Sequence, residues 1–343
     1  MLDQVLNLFH IRPDFDLELM RENQTPSQVA AGVLNAIDPL LAEMQPDWML
    51  VQGDTTTVMA ATIAAFHRKV RVAHVEAGLR TYDRENPFPE EMNRVVADHV
   101  SALHFAPTRQ ARAQLLAEGI QARSIFVTGN TVIDALLWAA EQPLTETAHQ
   151  ELVENNLLPD NQEVSRRLIL VTAHRRENHG EPIQQICYAL RRIAQARPDF
   201  HIVYPVHRNP NIWEPVHELL GEVPGITLTP PLDYLTLIHL MKRSVLILTD
   251  SGGIQEEAPS LGVPVLVLRK TTERPEAVAA GAVRLVGVDT DSILMEMDRL
   301  LDNPVAYGAM AQAINPYGDG LASRRIAEVL LSGRCNEFMG TNN

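Results

Sequence analysis

Apolar positions along this chain fall into two periods. Seven short runs are almost wholly apolar: DWMLVQ (47–52), VRVAHV (70–75), SIFVTG (124–129), RLILVT (167–172), HIVYPV (201–206), VLILTD (245–250) and VPVLVL (263–268). Each is bounded by Gly, Pro or polar residues and is rich in Val or Ile, the pattern of strands covered on both faces. Between them, apolar residues recur at helical spacing over 26–44, 91–102, 130–141, 181–196 and 289–302. Strands alternating with helices predict βαβ units and parallel sheets. The expected fold class is α/β, with two doubly wound Rossmann-like domains and a ligand in the cleft between them. The acidic stretch 141–167 carries no strand pattern and reads as a packed surface element leading into the second α/β unit. No repeat of solenoid period is present. The chain opens on a short helix, LDQVLNLF, where a doubly wound domain ordinarily opens on a strand.

Length and composition narrow this picture. A chain of 343 residues suits two domains of ordinary size. Lys and Arg number 29 against 43 Asp and Glu, a net charge of −14, which argues against nonspecific nucleic-acid or anionic-membrane binding. Cys187 and Cys335 are the two cysteines, so no disulfide framework is encoded and a reducing cytoplasm is the expected compartment. The N-terminus lacks a basic region followed by a cleavage site, and no run of about 18 apolar residues exists to span a membrane.

Four clusters stand at the ends of predicted strands, where open α/β sheets place ligands. In VQGDTTT, Asp54 follows a strand; it reads equally as the N-cap of the next helix. In HVEAGLRT, Glu76 directly follows a strand and precedes Ala-Gly, which capping explains less easily. In NPFPEEMNR, Glu90 and Glu91 begin a helix, where acids are favoured, but two adjacent glutamates cannot face the same way. In VTAHRRENHG, His174 stands beside Arg175 and Arg176; His174 and His179 are five apart, off the spacing of a helical metal pair, so a cationic site for phosphate oxygens is the better reading and no metal is expected. His207-Arg208 repeats that arrangement after another strand.

The stretch LILTDSGGIQEEAPSLGVPVLVL (246–268) combines these themes. Ser251, Gly252 and Gly253 between a strand and a helix can offer amides and a hydroxyl to a phosphate. Glu257 lies one helical turn beyond Gly253, where a carboxylate can accept hydrogen bonds from vicinal ribose hydroxyls. Arg274, after the next strand, can help hold a diphosphate. Neither a Walker A sequence nor GxGxxG follows any strand, so neither a P-loop NTPase nor a Rossmann dehydrogenase is supported. A nucleotide-diphosphate end in the second domain with three carboxylates on the first fits nucleotide-sugar chemistry.

Taken in order, Asp54, HVEAGLRT, PEEMNR, GNTVIDAL (129–136), TAHRREN, DSGGIQEEAPSLGVPVLVLR and TERPEA closely resemble the bacterial non-hydrolysing UDP-N-acetylglucosamine 2-epimerases, from residue 1 to about 330. The resemblance implies a GT-B-like fold: an N-terminal domain over 1–128, a C-terminal UDP-binding domain over 129–321, and a final helix over 322–333 packed back on the first. It implies reversible epimerisation at C2 of UDP-N-acetylglucosamine by a cytoplasmic homodimer feeding surface-polysaccharide synthesis, without a cofactor. By motif, Asp54, Glu76, Glu90 and His174 take catalytic roles, Ser251, Gly252, Gly253, Glu257 and Arg274 contact UDP, and Arg175 and His207 are candidates for a second, activating nucleotide sugar.

The chain departs from the family at its start. Members begin with a strand and a loop reading Gly-Thr-Arg-Pro-Glu, and with the helix and strand that follow, roughly forty residues about the size of a supersecondary unit have no counterpart here. The expectation is a shortened chain whose first sheet lacks an interior strand. Two alternatives stand beside the epimerase: a nucleotide-sugar binding fragment impaired in catalysis, and a GT-B glycosyltransferase.

Overall fold

The computed structural model describes residues 2–155, 157 and 167–340. Ten strands alternate with helices: β1 (Trp48–Gln52), β2 (Arg71–Val75), β3 (Leu103–Ala106), β4 (Ile125–Val127), β5 (Arg167–Thr172), β6 (Phe200–Pro205), β7 (Ile226–Thr229), β8 (Ser244–Thr249), β9 (Val265–Val267) and β10 (Val283–Leu285). They form two sheets, and every pairing is parallel. The chain divides into two compact units, each a Rossmann-like layer of helices on a parallel sheet, as the GT-B-like reading expects. One unit is Ile11–Asp134 with the C-terminal stretch from Tyr317; the other is Ala135–Pro316 with the N-terminal stretch to His10. Residues 2–10 thus belong with the second unit, where Phe9 stacks on Trp138 at 4.7 Å between ring centroids.

The first sheet runs β1-β2-β3-β4. Its helix Pro26–Met44 starts from a capping box, in which Thr25 and Gln28 each satisfy the other's backbone N–H. Helix Thr56–His67 then buries an alanine-rich face, Ala60, Ala61, Ala64 and Ala65, against Val33, Val51 and Val72. In a separate cluster on this sheet, helix Ala322–Ser332 places Ile326 and Val329 with Ala73, Val75 and Phe105.

The second sheet runs β10-β9-β8-β5-β6-β7. Strand order reverses between β5 and β8, because the chain fills one side of β5 with β6 and β7 before returning to its other side. That reversal is a topological switch point, where the loops leaving the strand ends diverge and open a crevice. Thr172 and Thr249, register partners that end β5 and β8, share a hydroxyl hydrogen bond of 2.7 Å at its floor. The core beneath is continuous, from Ile169, Val171, Leu246 and Leu248 to the helix Glu181–Ala196.

The seven strands read from the apolar runs all form, but β3, β7 and β10 do not stand out in the sequence. Histidine interrupts β3, threonines alternate through β7, and β10 has three residues with Arg284 at its centre. The acidic stretch contributes helix Glu146–Glu154; residues 156 and 158–166 of it lie outside the described residues. Among the described residues no helix is long and apolar enough to cross a membrane.

Candidate functional site

In the first unit, the acids cluster at the C-terminal ends of β1 and β2. Gly53, at φ 81°, turns the chain out of β1, and Thr55 caps helix Thr56–His67 by accepting from Val58 N–H. The helix therefore does not need Asp54 as its cap. Asp54 instead faces Arg94, Oδ2 to Nη2 at 3.4 Å, while its backbone carbonyl accepts from Asn93 Nδ2 at 3.0 Å. Glu76 sits at φ 68°, a left-handed conformation that costs a non-glycine residue energy and that concentrates at functional sites. Its carboxylate turns toward the Gly53 turn: a Cβ built on Gly53 would lie 3.6 Å from Glu76 Oε2.

The two adjacent glutamates separate as their geometry requires. Glu91 is buried and accepts from Thr81 N–H at 3.0 Å and Tyr82 N–H at 2.9 Å, which fastens the loop before the helix. Glu90 opens helix Glu90–Val100 half-buried, and its carbonyl accepts from Arg94 Nε at 3.4 Å. Arg94 thus joins the Asp54 turn to the start of this helix.

Beneath these turns lies a charged network that the sequence reading missed, because His74 sits inside an apolar strand and Asp98 inside a helix. His74 is fully buried, with Nε2 2.8 Å from the Gly53 carbonyl and Nδ1 2.6 Å from Asp98 Oδ1. A carbonyl and a carboxylate only accept, so both ring nitrogens carry hydrogen and the ring is an imidazolium. Burial opposes that charge, but the hydrogen bond and charge of Asp98, with smaller help from Gly53 and Glu76, raise the pKa of His74. Burial likewise works to raise the pKa of Asp98, and its bonds to His74 and the charge of Arg80 prevail and lower it. Asp98 Oδ2 also accepts from Gly78 N–H at 3.2 Å and pairs with Arg80 at 2.8 Å. One carboxylate therefore anchors both turns, through His74 to Gly53 and directly to Gly78. Gly78 is required there: φ is 88°, and a Cβ would fall 2.4 Å from the Ala111 carbonyl oxygen.

In the second unit, a cavity of roughly 280 Å³ opens at the switch point, lined by His174, His207, Ser251, Gly253 and Glu257 among others. The imidazoles of His174 and His207 stack at 5.5 Å between centroids, and His207 Nδ1 accepts from Asn209 N–H. Ser251 precedes helix Gly252–Glu257 and makes no capping bond with its side chain. Two guanidiniums converge on Gly252: a Cβ there would meet Arg175 Nη2 at 3.6 Å and Arg274 Nη2 at 3.7 Å. A backbone without a side chain, flanked by two arginines, leaves room for an anion.

The two acids after the glycines have separate tasks. Glu256 is buried and ion-paired with Arg274, and the loop is tied down again where Thr272 donates to Gln255 at 2.6 Å. Glu257 belongs to the cavity. Burial pushes its pKa up to about 7, against a hydrogen bond from Tyr234 Oη at 3.3 Å, with the Glu256 charge adding to the rise. Among the described residues no group of three or more His, Cys, Asp or Glu could hold a metal ion.

Comparison with known proteins places the chain in a family. The family model described as UDP-N-acetylglucosamine 2-epimerase matches residues 1–331. The UDP-N-acetylglucosamine 2-epimerase of Escherichia coli O157:H7 is 51% identical over 335 residues, 97% of this chain and 88% of that protein. The crystal structure of UDP-GlcNAc 2-epimerase from Neisseria meningitidis bound to UDP-GlcNAc matches with a TM-score of 0.85 at 48% identity, covering 96% of this chain and 88% of that one. The Methanocaldococcus jannaschii UDP-GlcNAc 2-epimerase in complex with UDP-GlcNAc and UDP matches with a TM-score of 0.75 at 34% identity, again covering 96% and 88%.

Proposed function

The chain belongs to the UDP-N-acetylglucosamine 2-epimerase family, and on that premise we propose that it interconverts UDP-N-acetylglucosamine and UDP-N-acetylmannosamine by elimination and re-addition of UDP. The observation that carries the reading is the convergence of Arg175 and Arg274 on Gly252 beside a cavity that also holds Glu257. Two cations at a bare backbone suit a diphosphate, and a carboxylate in the same cavity suits the ribose hydroxyls.

The chemistry follows from the substrate. The C2 hydrogen of the sugar has no neighbouring carbonyl to acidify it. It becomes removable as the C1–O bond to UDP breaks and positive charge grows at C1. A base takes the C2 proton, the C–H electron pair becomes the C1–C2 double bond of 2-acetamidoglucal, and UDP departs with the C1–O pair, anti to the proton. Re-addition of UDP to C1, with protonation on the other face of C2, gives the epimer. By this reading Asp54, Glu76 and Glu90 supply the acid and base groups, and His174 assists at the diphosphate. Ser251, Gly252, Gly253, Glu257 and Arg274 hold UDP and stabilise it as it leaves. Arg175 and His207 are offered to a second nucleotide sugar as activator. The reading further carries a cytoplasmic homodimer that feeds surface-polysaccharide synthesis.

Incubation with UDP-N-acetylglucosamine alone in D2O tests the proposal. We expect epimerisation without an acceptor sugar, added metal or nicotinamide, with deuterium appearing at C2 of both sugars by NMR. An epimer without label at C2 would rule out proton exchange there, and no turnover until an acceptor is supplied would favour a glycosyltransferase.

A further inference from the structure

Asp250, which ends the apolar run into Ser251-Gly252-Gly253, has no task in the reading above. It is fully buried. Its Oδ2 accepts three hydrogen bonds of 2.8 Å each, from His174 N–H, Arg175 N–H and Asn178 Nδ2–H. Its Oδ1 has no hydrogen-bond partner and faces His174 Nδ1 at 3.6 Å. The carboxylate therefore spans the switch point: it leaves the end of β8 and gathers the loop that leaves the end of β5. We infer that Asp250 is the positioning residue of this half-site, fixing the His174–Arg175 turn and keeping a proton on His174 Nδ1, so that the ring becomes an imidazolium when a diphosphate docks. The inference rests on reading this cavity as the UDP site.

An ionised carboxylate only accepts, so the ring end that faces it is favoured as N–H, as in other His–Asp pairs where the acid sets the tautomer. A phosphate oxygen also only accepts, so contact with it at Nε2 requires a second ring proton. The charged and titratable groups around the ring are Asp250 behind it, Arg175 beside it, His207 stacked on it from the end of β6, and Glu257 across the cavity. Burial lowers the His174 pKa; Asp250 pulls it up, while His207 and Arg175 push it down. Without ligand the ring is thus neutral at pH 7.5, and a diphosphate supplies the negative charge that draws in the proton.

The Asp250→Asn chain isolates the effect. Its amide oxygen can still take the three donors, but its NH2 replaces Oδ1 and donates to Nδ1, forcing the opposite tautomer. Calorimetry of UDP binding at pH 7.5, in two buffers of different ionisation enthalpy, counts the protons exchanged. We expect the wild-type chain to take up a proton component that disappears both in His174→Gln and in Asp250→Asn, whatever proton Glu257 releases in all three. UDP affinity should fall roughly tenfold in Asp250→Asn, the low end for a hydrogen bond to a charged group. Wild-type proton uptake and affinity in Asp250→Asn, with both altered in His174→Gln, would overturn the inference. Wild-type affinity in His174→Gln would instead overturn the UDP reading itself. Should Asp250→Asn fail to fold, ring-nitrogen NMR of the histidine-labelled wild-type chain still decides. The His174 signals, identified by their loss in His174→Gln, should show the Nδ1–H tautomer without ligand and both nitrogens protonated with UDP; an Nε2–H tautomer would overturn the inference.

Discussion

Replacing Glu76 by glutamine is expected to slow epimerisation by roughly 10²–10⁴, the usual contribution of a general acid or base, while UDP affinity stays within about twofold. Glutamine keeps the shape and most of the polarity of glutamate but cannot exchange a proton with the sugar. The left-handed backbone at Glu76 is no worse for glutamine than for glutamate, so the fold has no reason to change. The residues read as holding UDP stand in the second unit, and Glu76 stands in the first. The loss should therefore appear in kcat and in deuterium incorporation at C2, with little change in the dissociation constant for UDP. A Glu76→Gln chain that epimerises at the wild-type rate would remove this carboxylate from the chemistry.

Glu257→Gln should both stabilise the protein at alkaline pH and weaken its hold on UDP. With the folded-state pKa raised from 4.5 to about 7, the folded protein binds this proton more tightly than the unfolded chain does. The associated stability is fully present below about 4.5 and is lost as pH rises through about 7. At pH 8 the wild-type chain holds a buried, ionised carboxylate; glutamine carries no charge and still offers Tyr234 an acceptor. The difference approaches roughly 3 kcal/mol at pH 8 and vanishes toward acid pH. In a unit of this size that is about 2–4 °C of melting temperature per kcal/mol. UDP binding should meanwhile weaken by about 1.5–3 kcal/mol, the worth of hydrogen bonds to a charged acceptor. In a His174→Gln background, where no proton is taken up at the diphosphate, UDP affinity should fall as pH drops below about 7, because protonation of Glu257 withdraws that acceptor. Unchanged UDP affinity in Glu257→Gln would refute the ribose role, and a stability difference independent of pH would refute the buried ionisation.

Glu76 and Glu257 are legible in the sequence as candidates, and the reason is local. Glu76 directly follows β2, and Glu257 lies one helical turn past Gly253 on the short helix that follows β8, so a short window of sequence shows both the strand and the acid. Most strands are legible for a similar reason: a strand covered on both faces must be apolar through its middle, and β5 (168–171) and β8 (245–248) are. Residues that act across the fold are not. Asp98 lies twenty-four positions from His74 in the chain and reads as an ordinary helix residue, yet the two meet at 2.6 Å. Asp250 was in plain view at the end of a strand, but its three donors come from a loop some seventy-five residues earlier. The N-cap reading of Asp54 illustrates the converse: either Asp54 or Thr55 could have capped the helix by composition, and only the backbone decides for Thr55.

Glu256 gives the second unit a different kind of advantage. An arginine side chain free in water carries about 2 kcal/mol of rotamer entropy, which is lost whenever a ligand immobilises it. Arg274 is already immobilised, clamped to a buried carboxylate on the helix it faces. The disorder it gives up is surrendered when the chain folds, so on the proposed reading an arriving diphosphate meets a cation that has little freedom left to lose. Glu256 also offsets part of the positive charge while the cavity is empty, so that two guanidiniums can wait close together at one glycine without driving each other apart. If this is the diphosphate site, the carboxylate beside it acts as a tether, and its contribution to affinity is entropic in origin.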